Sequence, residues 1–443
     1  MDEQQLDLDE IQGIVLRDRP MPYVGAYLLF QVDDAQDGRE FLRRLLPHVT
    51  SAADWQHPSH KTWLNVVATH HGLAQLGLPA SILDGFPEEF RISMRERQDA
   101  LGDVGDSDPS HWDMVAKGSR FDLGLLLMAP DEATFAATTA IGEAALDGLP
   151  GIQRAGGIES RTPANHREHF GYVDGISRPF IEGQGGTPEP GQGEPARAGE
   201  FILGYVDELG QLATGPGPDA LWRNGSYVSI RKLQQNVAQF RSWLRNNAAN
   251  ADEQELLAAK LVGRWRSGCP LALSPDNDDA SIAQDPAQVN DFTFHDDPVG
   301  RHTPPGCHIR RVNPRDALQD TMVDVRIHRL LRRGSSYGPP LPAGVLDDDG
   351  VDRGVVLTFV NAHPGRQFEF VQSQWVNDGD FISAGRERDP VAGHHEPGNN
   401  DYRYPARPVR RHLQGLPAFV VTKGGEHTFL PSLTGLRWLA DGG

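Results

Sequence analysis

The sequence is poor in cysteine, in basic charge and in long apolar runs, and each shortage excludes a class of protein. Only two cysteines, Cys269 and Cys307, occur among 443 residues, too few for a disulfide framework or a thiolate-bound iron–sulfur cluster. Lysine and arginine number 42 against 61 aspartate and glutamate residues, so the chain lacks the basic footprint that nucleic acids and anionic membranes require. No run approaches the roughly 18 apolar residues of a membrane-spanning helix.

Glycine and proline are abundant, at 48 and 33 residues. This composition predicts long connecting loops of the kind that wrap a cofactor. A chain of this length is able to bury a sizeable core and is expected to form two or three domains. The N-terminus, MDEQQ, is acidic and is not followed by the apolar segment of a secretory signal. We therefore expect a cytoplasmic protein.

The first part of the chain alternates strand-like and helix-like patterns. Strands are predicted at 23–32, 62–69 and 122–129, and helices at 36–46 and 131–146. The order strand, helix, strand, strand, helix is that of a ferredoxin-like α+β unit, in which helices cover one face of an antiparallel sheet.

A fainter copy of this pattern follows. A strand-like stretch at 227–230 leads into a helix-like stretch at 237–244, and strand-like runs recur at 354–361 and 367–372. Two copies of one unit are therefore plausible, although the identity between them is too low to establish a repeat.

We place an N-terminal unit at 1–182 and a C-terminal unit at 221–443, joined by residues 183–220. The glycine- and proline-rich stretch 183–198 is either an interdomain linker or a loop over a pocket. A second long loop, dense in aspartate, proline and asparagine, covers 273–305.

Residues 171–179 read GYVDGISRP and hold one acid, Asp174, between glycines. Because glycine permits close approach, this acid is able to lie against the face of a flat cofactor. Alone, a Gly-x-x-Asp-Gly string is more often an ordinary turn in which the aspartate bonds the backbone. Two further segments change this interpretation: residues 307–315 read CHIRRVNPR, and residues 328–338 read HRLLRRGSSYG.

Together, the three segments resemble the dye-decolourising (DyP-type) haem peroxidases in content and order. The GxxDG string corresponds to the family's distal acid, the histidine before the Asn-Pro-Arg run to its iron ligand, and the Leu-Arg-Arg-Gly run to its distal arginine. The resemblance continues in the N-terminal half, at residues 11–13, 72–78, 86–90 and 101–103. It therefore covers nearly the whole chain.

The resemblance implies an α+β fold of tandem ferredoxin-like units, of the dimeric α+β barrel type, with haem b held mainly by the C-terminal unit. It assigns Asp174 as the distal proton shuttle, Arg332 as the group that stabilises negative charge, and His308 as the axial ligand of the haem iron. An acid on the other ring nitrogen of such a histidine favours O–O cleavage. The candidates for that acid are Asp378, Asp380 and Asp389.

We assign the remaining haem contacts to cations for the two propionates, to the residues that follow the distal acid, and to two apolar residues on one strand face. In that order, these residues are Arg315 and Arg329, Gly175 and Ile176, and Leu357 and Phe359. Ordinary core packing explains the apolar pair equally well. A solvated basic face is the alternative for the arginines of the two runs, which are Arg310, Arg311, Arg332 and Arg333.

Cys307 directly precedes His308, which suggests a metal-binding pair. Because adjacent residues in a strand point to opposite faces, we assign the metal to His308 alone. Both cysteines are expected to be small buried hydrophobes. The paired histidines within 394–395 and 166–169 lack further ligands at helical spacing and are predicted to be solvated loop residues.

The family's bulky substrates imply electron transfer at the protein surface, because a large dye does not fit a small distal pocket. Tyr337 and Trp375 are the candidate surface relays. Packing is the commoner role of both residue types, and it remains the alternative.

We therefore expect a peroxidase that reduces hydrogen peroxide while it oxidises dyes, phenols or similar organic reductants. A carboxylate shuttle, with an unperturbed pKa of about 3.9, favours an acidic optimum. The alternatives are a haem-storage or iron-release protein and a non-haem metalloenzyme that uses the histidine-rich loops. The Asp/Arg pair favours catalysis, since storage does not need a proton shuttle. The sequence leaves the physiological reductant and the oligomeric state open, and a homo-oligomer is compatible with it.

Overall fold

The computed structural model describes residues 5–54, 62–117, 119–395 and 400–443. The prediction of a cytoplasmic location is based partly on residues 1–4, which lie outside the described residues. Within the described ranges, no helix combines the length and the hydropathy that crossing a membrane requires.

The strands and helices alternate along the chain. The strands are β1 (Val24–Val32), β2 (Trp63–Ala68), β3 (Leu123–Ala129), β4 (Ile152–Arg161), β5 (Ser226–Gln235), β6 (Leu331–Tyr337), β7 (Gly354–Asn361), β8 (Asp401–Tyr404), β9 (Arg411–Gln414) and β10 (Val420–Leu430). The α-helices are α1 (Gly13–Leu16), α2 (Ala35–Leu45), α3 (His70–Gln75), α4 (Ala80–Leu83), α5 (Glu88–Arg91), α6 (Gln98–Leu101), α7 (Glu132–Ala145), α8 (Asp219–Trp222), α9 (Val237–Asn247), α10 (Ala251–Val262), α11 (Ala280–Gln284), α12 (His308–Val312) and α13 (Leu433–Asp441). Two π-helical segments cover Gly365–Glu369 and Val371–Val376.

In the described part of the chain, eight strands form one antiparallel sheet in the order β4-β1-β3-β2-β10-β5-β7-β6. The sheet has two halves, β4-β1-β3-β2 and β10-β5-β7-β6. When the strands of each half are numbered along the chain, both halves have the spatial order 4-1-3-2, which is the ferredoxin-like arrangement. The predicted α+β fold with two ferredoxin-like units is thereby confirmed. The proposed boundaries at 182 and 220 stay a prediction.

The two halves meet where Phe429 of β10 pairs with Ala68 of β2. At the opposite ends, β4 lies against β6, so the sheet curls around a buried apolar core that includes Leu126 and Ile230. Polar contacts also cross this core, since the Tyr27 hydroxyl lies 3.2 Å from Ser335 Oγ. The curled sheet is therefore a rigid base for groups attached to its outer face.

Helices α2, α7 and α13 cover the outer face of the N-terminal half. In α2, Phe41, Leu42 and Leu45 are buried at the three- and four-residue spacing of an amphipathic helix. The helix begins after Asp34, whose carboxylate accepts a hydrogen bond from the Asp37 N–H at 2.9 Å.

Two local predictions are wrong. Residues 367–372 are π-helical and occupy the place of the second helix in the C-terminal unit. The sequence QFEFVQ alternates polar and apolar residues as a half-buried strand does. In the structure, the polar Gln367 and Glu369 are buried together with Phe368, so the alternation does not mark one buried face. Likewise, His308 begins the helix α12 instead of lying in a strand, and Cys307 precedes it as a fully buried residue.

Candidate active site

A cavity of about 1550 Å³ lies against the outer face of β5, β6 and β7. Because side chains alternate along a strand, one set points into the curled sheet and the other lines the cavity. The cavity set is Arg231, Leu233, Gln235, Arg332, Val355, Leu357 and Phe359. Leu357 lies opposite Gly334, and Phe359 opposite Arg332, in the register of β7 with β6. The two apolar residues predicted to contact haem, Leu357 and Phe359, therefore lie on the same surface as the predicted distal arginine, Arg332.

The predicted distal pair is in direct contact. Arg332 Nη2 donates a hydrogen bond to Asp174 Oδ1, and both side chains remain partly exposed within the cavity, at 37% and 24%. Burial by itself would raise the pKa of the Asp174 carboxyl. The charge and hydrogen bond of Arg332, with weaker effects of Arg19 and the Gly175 N–H, instead hold that pKa below its ordinary value. Asp174 is therefore ionised even in moderately acidic solution.

Arg19 is a residue that the sequence analysis missed. Its guanidinium lies 4.7 Å from the centre of the Tyr23 ring, and its charge favours the ionised form of Asp174. Arg19 and Asp174 are far apart in sequence, and the segment around Arg19 carries no motif that points to the site. Arg19 comes near only because this segment folds back beside the GxxDG turn, where a Cβ atom at Gly175 would lie 4.0 Å from Arg19 Nη1.

Gly334 leaves room for the distal carboxylate. A Cβ atom at this position would lie 2.9 Å from Asp174 Oδ2 and 3.3 Å from Leu357 Cδ2. The glycine of the Leu-Arg-Arg-Gly run therefore allows Asp174 to approach β6 closely enough to meet Arg332.

Substituting Gly334→Ala is accordingly expected to displace the Asp174 carboxylate. In the peroxidase reaction that the family resemblance implies, it should slow the step with hydrogen peroxide roughly tenfold, because small misplacements of reacting groups are costly. Stopped-flow spectroscopy of the haem-loaded variant measures this rate. The matched control is Ser336→Ala, two residues along the same strand and remote from Asp174, which should react like the parent. A parental rate for Gly334→Ala would show that the close approach is unimportant.

Elsewhere along the cavity, His308 pairs with the buried Asp389. His308 Nδ1 lies 2.8 Å from Asp389 Oδ2, and Oδ1 of the same carboxylate accepts hydrogen bonds from the N–H groups of Val391 and Ala392 at 2.8 and 2.9 Å. Burial opposes ionisation, but His308, Arg311 and the Ala392 N–H lower the pKa of Asp389. Among the three acids left open by the sequence, Asp389 is the partner of His308.

The hydrogen bond to Asp389 determines the state of the imidazole. An ionised carboxylate accepts a proton donor, so it selects the tautomer with hydrogen on Nδ1 and leaves the Nε2 lone pair free. His308 is partly exposed within the cavity. The arrangement is typical of a histidine that binds a metal through Nε2.

The neighbouring arginines hold α12 in place. Arg311 is fully buried and donates to the carbonyl oxygens of Gly306, Trp375, Asp378 and Glu387. Arg310 likewise donates to the carbonyls of Asp297 and Thr303, and Arg333 to those of Ile14 and Val15. The solvated basic face is thus wrong for these three, and of the four arginines only Arg332 lines the cavity.

Arg315 and Arg329 both line the cavity, but they differ in how many of their N–H groups are already used in hydrogen bonds. Arg315 Nη1 donates to the carbonyls of Gly191, Asn290 and Phe292, and Nη2 donates to Asn290 Oδ1. It joins loops 183–198 and 273–305, and a bidentate contact with a propionate would have to displace these bonds. Arg329 uses Nη1 for the Glu194 carbonyl at 2.8 Å. The stretch 183–198 is therefore partly a cavity loop.

The predicted surface location of Tyr337 and Trp375 is wrong, because their exposed fractions are 5% and 2%. Tyr337 points into the core of the curled sheet and donates to Asp352 Oδ1 at 2.9 Å. Burial and the Asp352 charge raise the pKa of its phenol. Trp375 lines the cavity, where its ring stacks on Phe381. An electron-transfer role for either residue stays a prediction.

The histidine-rich loops are less exposed than expected. His169 and His395 are buried, each with Nε2 at a backbone carbonyl, that of Tyr337 and that of Asp389 respectively. Across the residues that the structure describes, no group of three or more histidine, cysteine, aspartate or glutamate side chains is arranged to hold a metal ion. Gly175 and Ile176, in contrast, line the large cavity, and their contact with haem stays a prediction.

Individual proteins resemble this chain over nearly its whole length. No protein-family model matches it. Peroxidase 2 of Mycetinis scorodonius is 30% identical to it, over 98% of this chain and 87% of that protein. The structure of an ancestral D-type dye-decolorizing peroxidase superposes with a TM-score of 0.86 at 29% identity, covering 98% of this chain and 99% of that one.

A dye-decolorizing peroxidase solved in complex with 2,6-dimethoxyphenol superposes with a TM-score of 0.84 at 27% identity, over 98% of this chain and 100% of that one. These relatives match both halves of the fold together with the segments that line the cavity. The likeness at this identity and coverage establishes common descent, and the chain belongs to the dye-decolourising peroxidase family of haem-dependent peroxidases.

Proposed function

We propose that the cavity binds haem b, whose iron His308 Nε2 would hold, and that the Asp174–Arg332 pair of the same cavity would act on hydrogen peroxide. One observation carries this proposal. A carboxylate-backed histidine and a carboxylate–guanidinium pair, distant in sequence, line the same large cavity.

The residues that line the cavity are suited to haem. The Nδ1–H of His308 is committed to Asp389, so a strongly donating Nε2 is available for iron. Leu357 and Phe359 offer an apolar surface for the ring. For the propionates we assign the remaining N–H donors of Arg329, while Arg315 contributes positive charge nearby.

When bound, haem supplies a redox-active iron that accepts oxidising equivalents from peroxide and passes them to a reductant. The ionised Asp174 would take a proton from one oxygen of hydrogen peroxide and return it to the other, which leaves as water when the O–O bond breaks. Arg332 donates hydrogen bonds to the negative charge that develops on the leaving oxygen. Asp389 keeps His308 in the tautomer that leaves Nε2 unprotonated.

The low pKa of Asp174 sets the direction of the pH dependence. The carboxylate is the active form, so peroxide reduction is retained as the pH falls to the ordinary aspartate value of about 3.9. It is lost only as the pH falls further, through the lowered pKa. Activity that persists well into acidic solution is the expected consequence, in keeping with the acidic optimum that a carboxylate shuttle favours.

The co-substrates we propose are hydrogen peroxide and a phenol or dye. The phenol complex of a relative supports a phenolic reductant. For reductants too large to enter, Tyr337 and Trp375 are the proposed relays. The acceptor at Asp352 would take the phenolic proton of Tyr337 when that residue is oxidised.

Three measurements on the purified protein test the proposal. A Soret band and the pyridine haemochrome spectrum identify haem and its b type, and peroxide-dependent oxidation of 2,6-dimethoxyphenol and of a dye measures activity. We expect a b-type haem and activity greatest at acidic pH. Stable haem binding without peroxide-dependent turnover would favour the haem-handling alternative.

A further inference from the structure

The segment that precedes Asp174 is a closed turn held by one half-buried carboxylate, that of Glu168. Glu168 Oε1 accepts a hydrogen bond from the Tyr172 N–H at 2.8 Å, and Oε2 accepts one from the Phe170 N–H at 2.9 Å. The backbone closes the same turn, since the Glu168 N–H donates to the Tyr172 carbonyl at 3.0 Å and the Gly171 N–H to the Glu168 carbonyl at 2.8 Å. The side chain and the backbone of Glu168 therefore both hold the turn formed by residues 168–172.

The turn is also attached to the sheet that carries the distal arginine. Gln235 Nε2, at the end of β5, donates to Glu168 Oε2 at 2.5 Å. Gln235 follows Arg231 and Leu233 at strand spacing, and all three line the cavity that Arg332 also lines. One amide therefore connects the turn to the sheet face on which the peroxide chemistry is proposed to occur.

The chain near Asp174 needs such support because glycines flank the acid. Gly171 and Gly175 have φ angles of +97° and +82°, a region that glycine adopts without steric cost but also leaves easily. Asp174 has to meet Arg332 across this flexible segment. A firm anchor a few residues earlier restricts the positions that its carboxylate is able to reach.

We propose that Glu168 is a positioning residue of the peroxidase reaction, which holds the turn before Asp174 so that the distal carboxylate stays against Arg332. This inference depends on the role proposed for Asp174. Glu168 touches neither peroxide nor haem in this scheme. It acts through backbone N–H groups and through Gln235.

The test is a double-mutant cycle with Glu168→Gln and Asp174→Asn, read as the second-order rate of reaction with hydrogen peroxide. Glutamine keeps the volume but places an NH₂ group against one of the three N–H donors, which breaks the turn locally. We expect Glu168→Gln to slow the parent about tenfold but the Asp174→Asn variant less than twofold, because residues that act through one another are not additive. Equal slowing in both backgrounds would overturn the proposal.

Gln235→Leu is the second variant, in case Glu168→Gln does not take up haem. It leaves the turn intact but cuts its connection to β5, and the same coupling to Asp174→Asn is expected. The matched control is Glu182→Gln, which removes a carboxylate paired with Arg197 at 3.0 Å without touching the turn. It should react like the parent, and equal Soret absorbance per protein ensures comparison at equal haem content.

The outcomes separate this inference from the function on which it rests. If Asp174→Asn reacts as fast as the parent, the distal role of Asp174 is wrong. If Asp174→Asn is slow while both Glu168→Gln and Gln235→Leu are fast, only the positioning role of Glu168 is wrong.

Discussion

Substituting His308→Ala is expected to abolish haem binding or to leave the iron with only water on that side. His308 is the imidazole of α12 that faces the cavity, and its Nε2 is the ligand we assign to iron. Without it, haem would be held by propionate and apolar contacts alone. The loss of the Soret band after purification, or its displacement, measures the effect.

Two controls separate ligand loss from loss of the fold. His48→Ala removes an exposed histidine and should keep the parental spectrum. His308→Gly leaves space for an added imidazole, which should restore a histidine-like spectrum if the protein is folded. Full haem occupancy with an unchanged spectrum in His308→Ala would exclude this residue as the ligand.

On the distal side, Arg332→Leu is expected to slow the reaction with peroxide slightly more than Asp174→Asn. Each loss should be on the order of 10²–10³ in rate, as for general bases and charge-stabilising donors in other enzymes. We place Arg332 first because it performs two tasks. It stabilises the leaving oxygen, and it holds the pKa of Asp174 low.

The pH profile distinguishes these two tasks. In Arg332→Leu, Asp174 loses the cation that favours its ionised form, so the acid limb of the rate profile should move to higher pH. In Asp174→Asn, the carboxylate is absent and that limb should disappear. Stopped-flow mixing with peroxide at several pH values measures both, and if both variants react like the parent, the chemistry occurs elsewhere.

The sequence determined the framework of this protein and three of its central residues. Apolar runs and apolar periodicity predicted five elements of the N-terminal unit and β7 nearly to their observed limits, because both patterns reflect which residues of an element are buried. The three motifs predicted Asp174, His308 and Arg332, and all three line one cavity. Local pattern failed at 367–372, where the polar Gln367 and Glu369 are buried and polarity no longer indicates exposure.

Only the tertiary structure decided which distant groups meet. Asp389 lies 81 residues from His308, and neither charge pattern nor spacing distinguished it from two nearby acids. The buried state of Tyr337 and the contact between Glu168 and Gln235 were equally hidden from the sequence. Periodicity records how each residue meets its own strand or helix, whereas such contacts depend on how separate segments cross in space, which the local sequence does not encode.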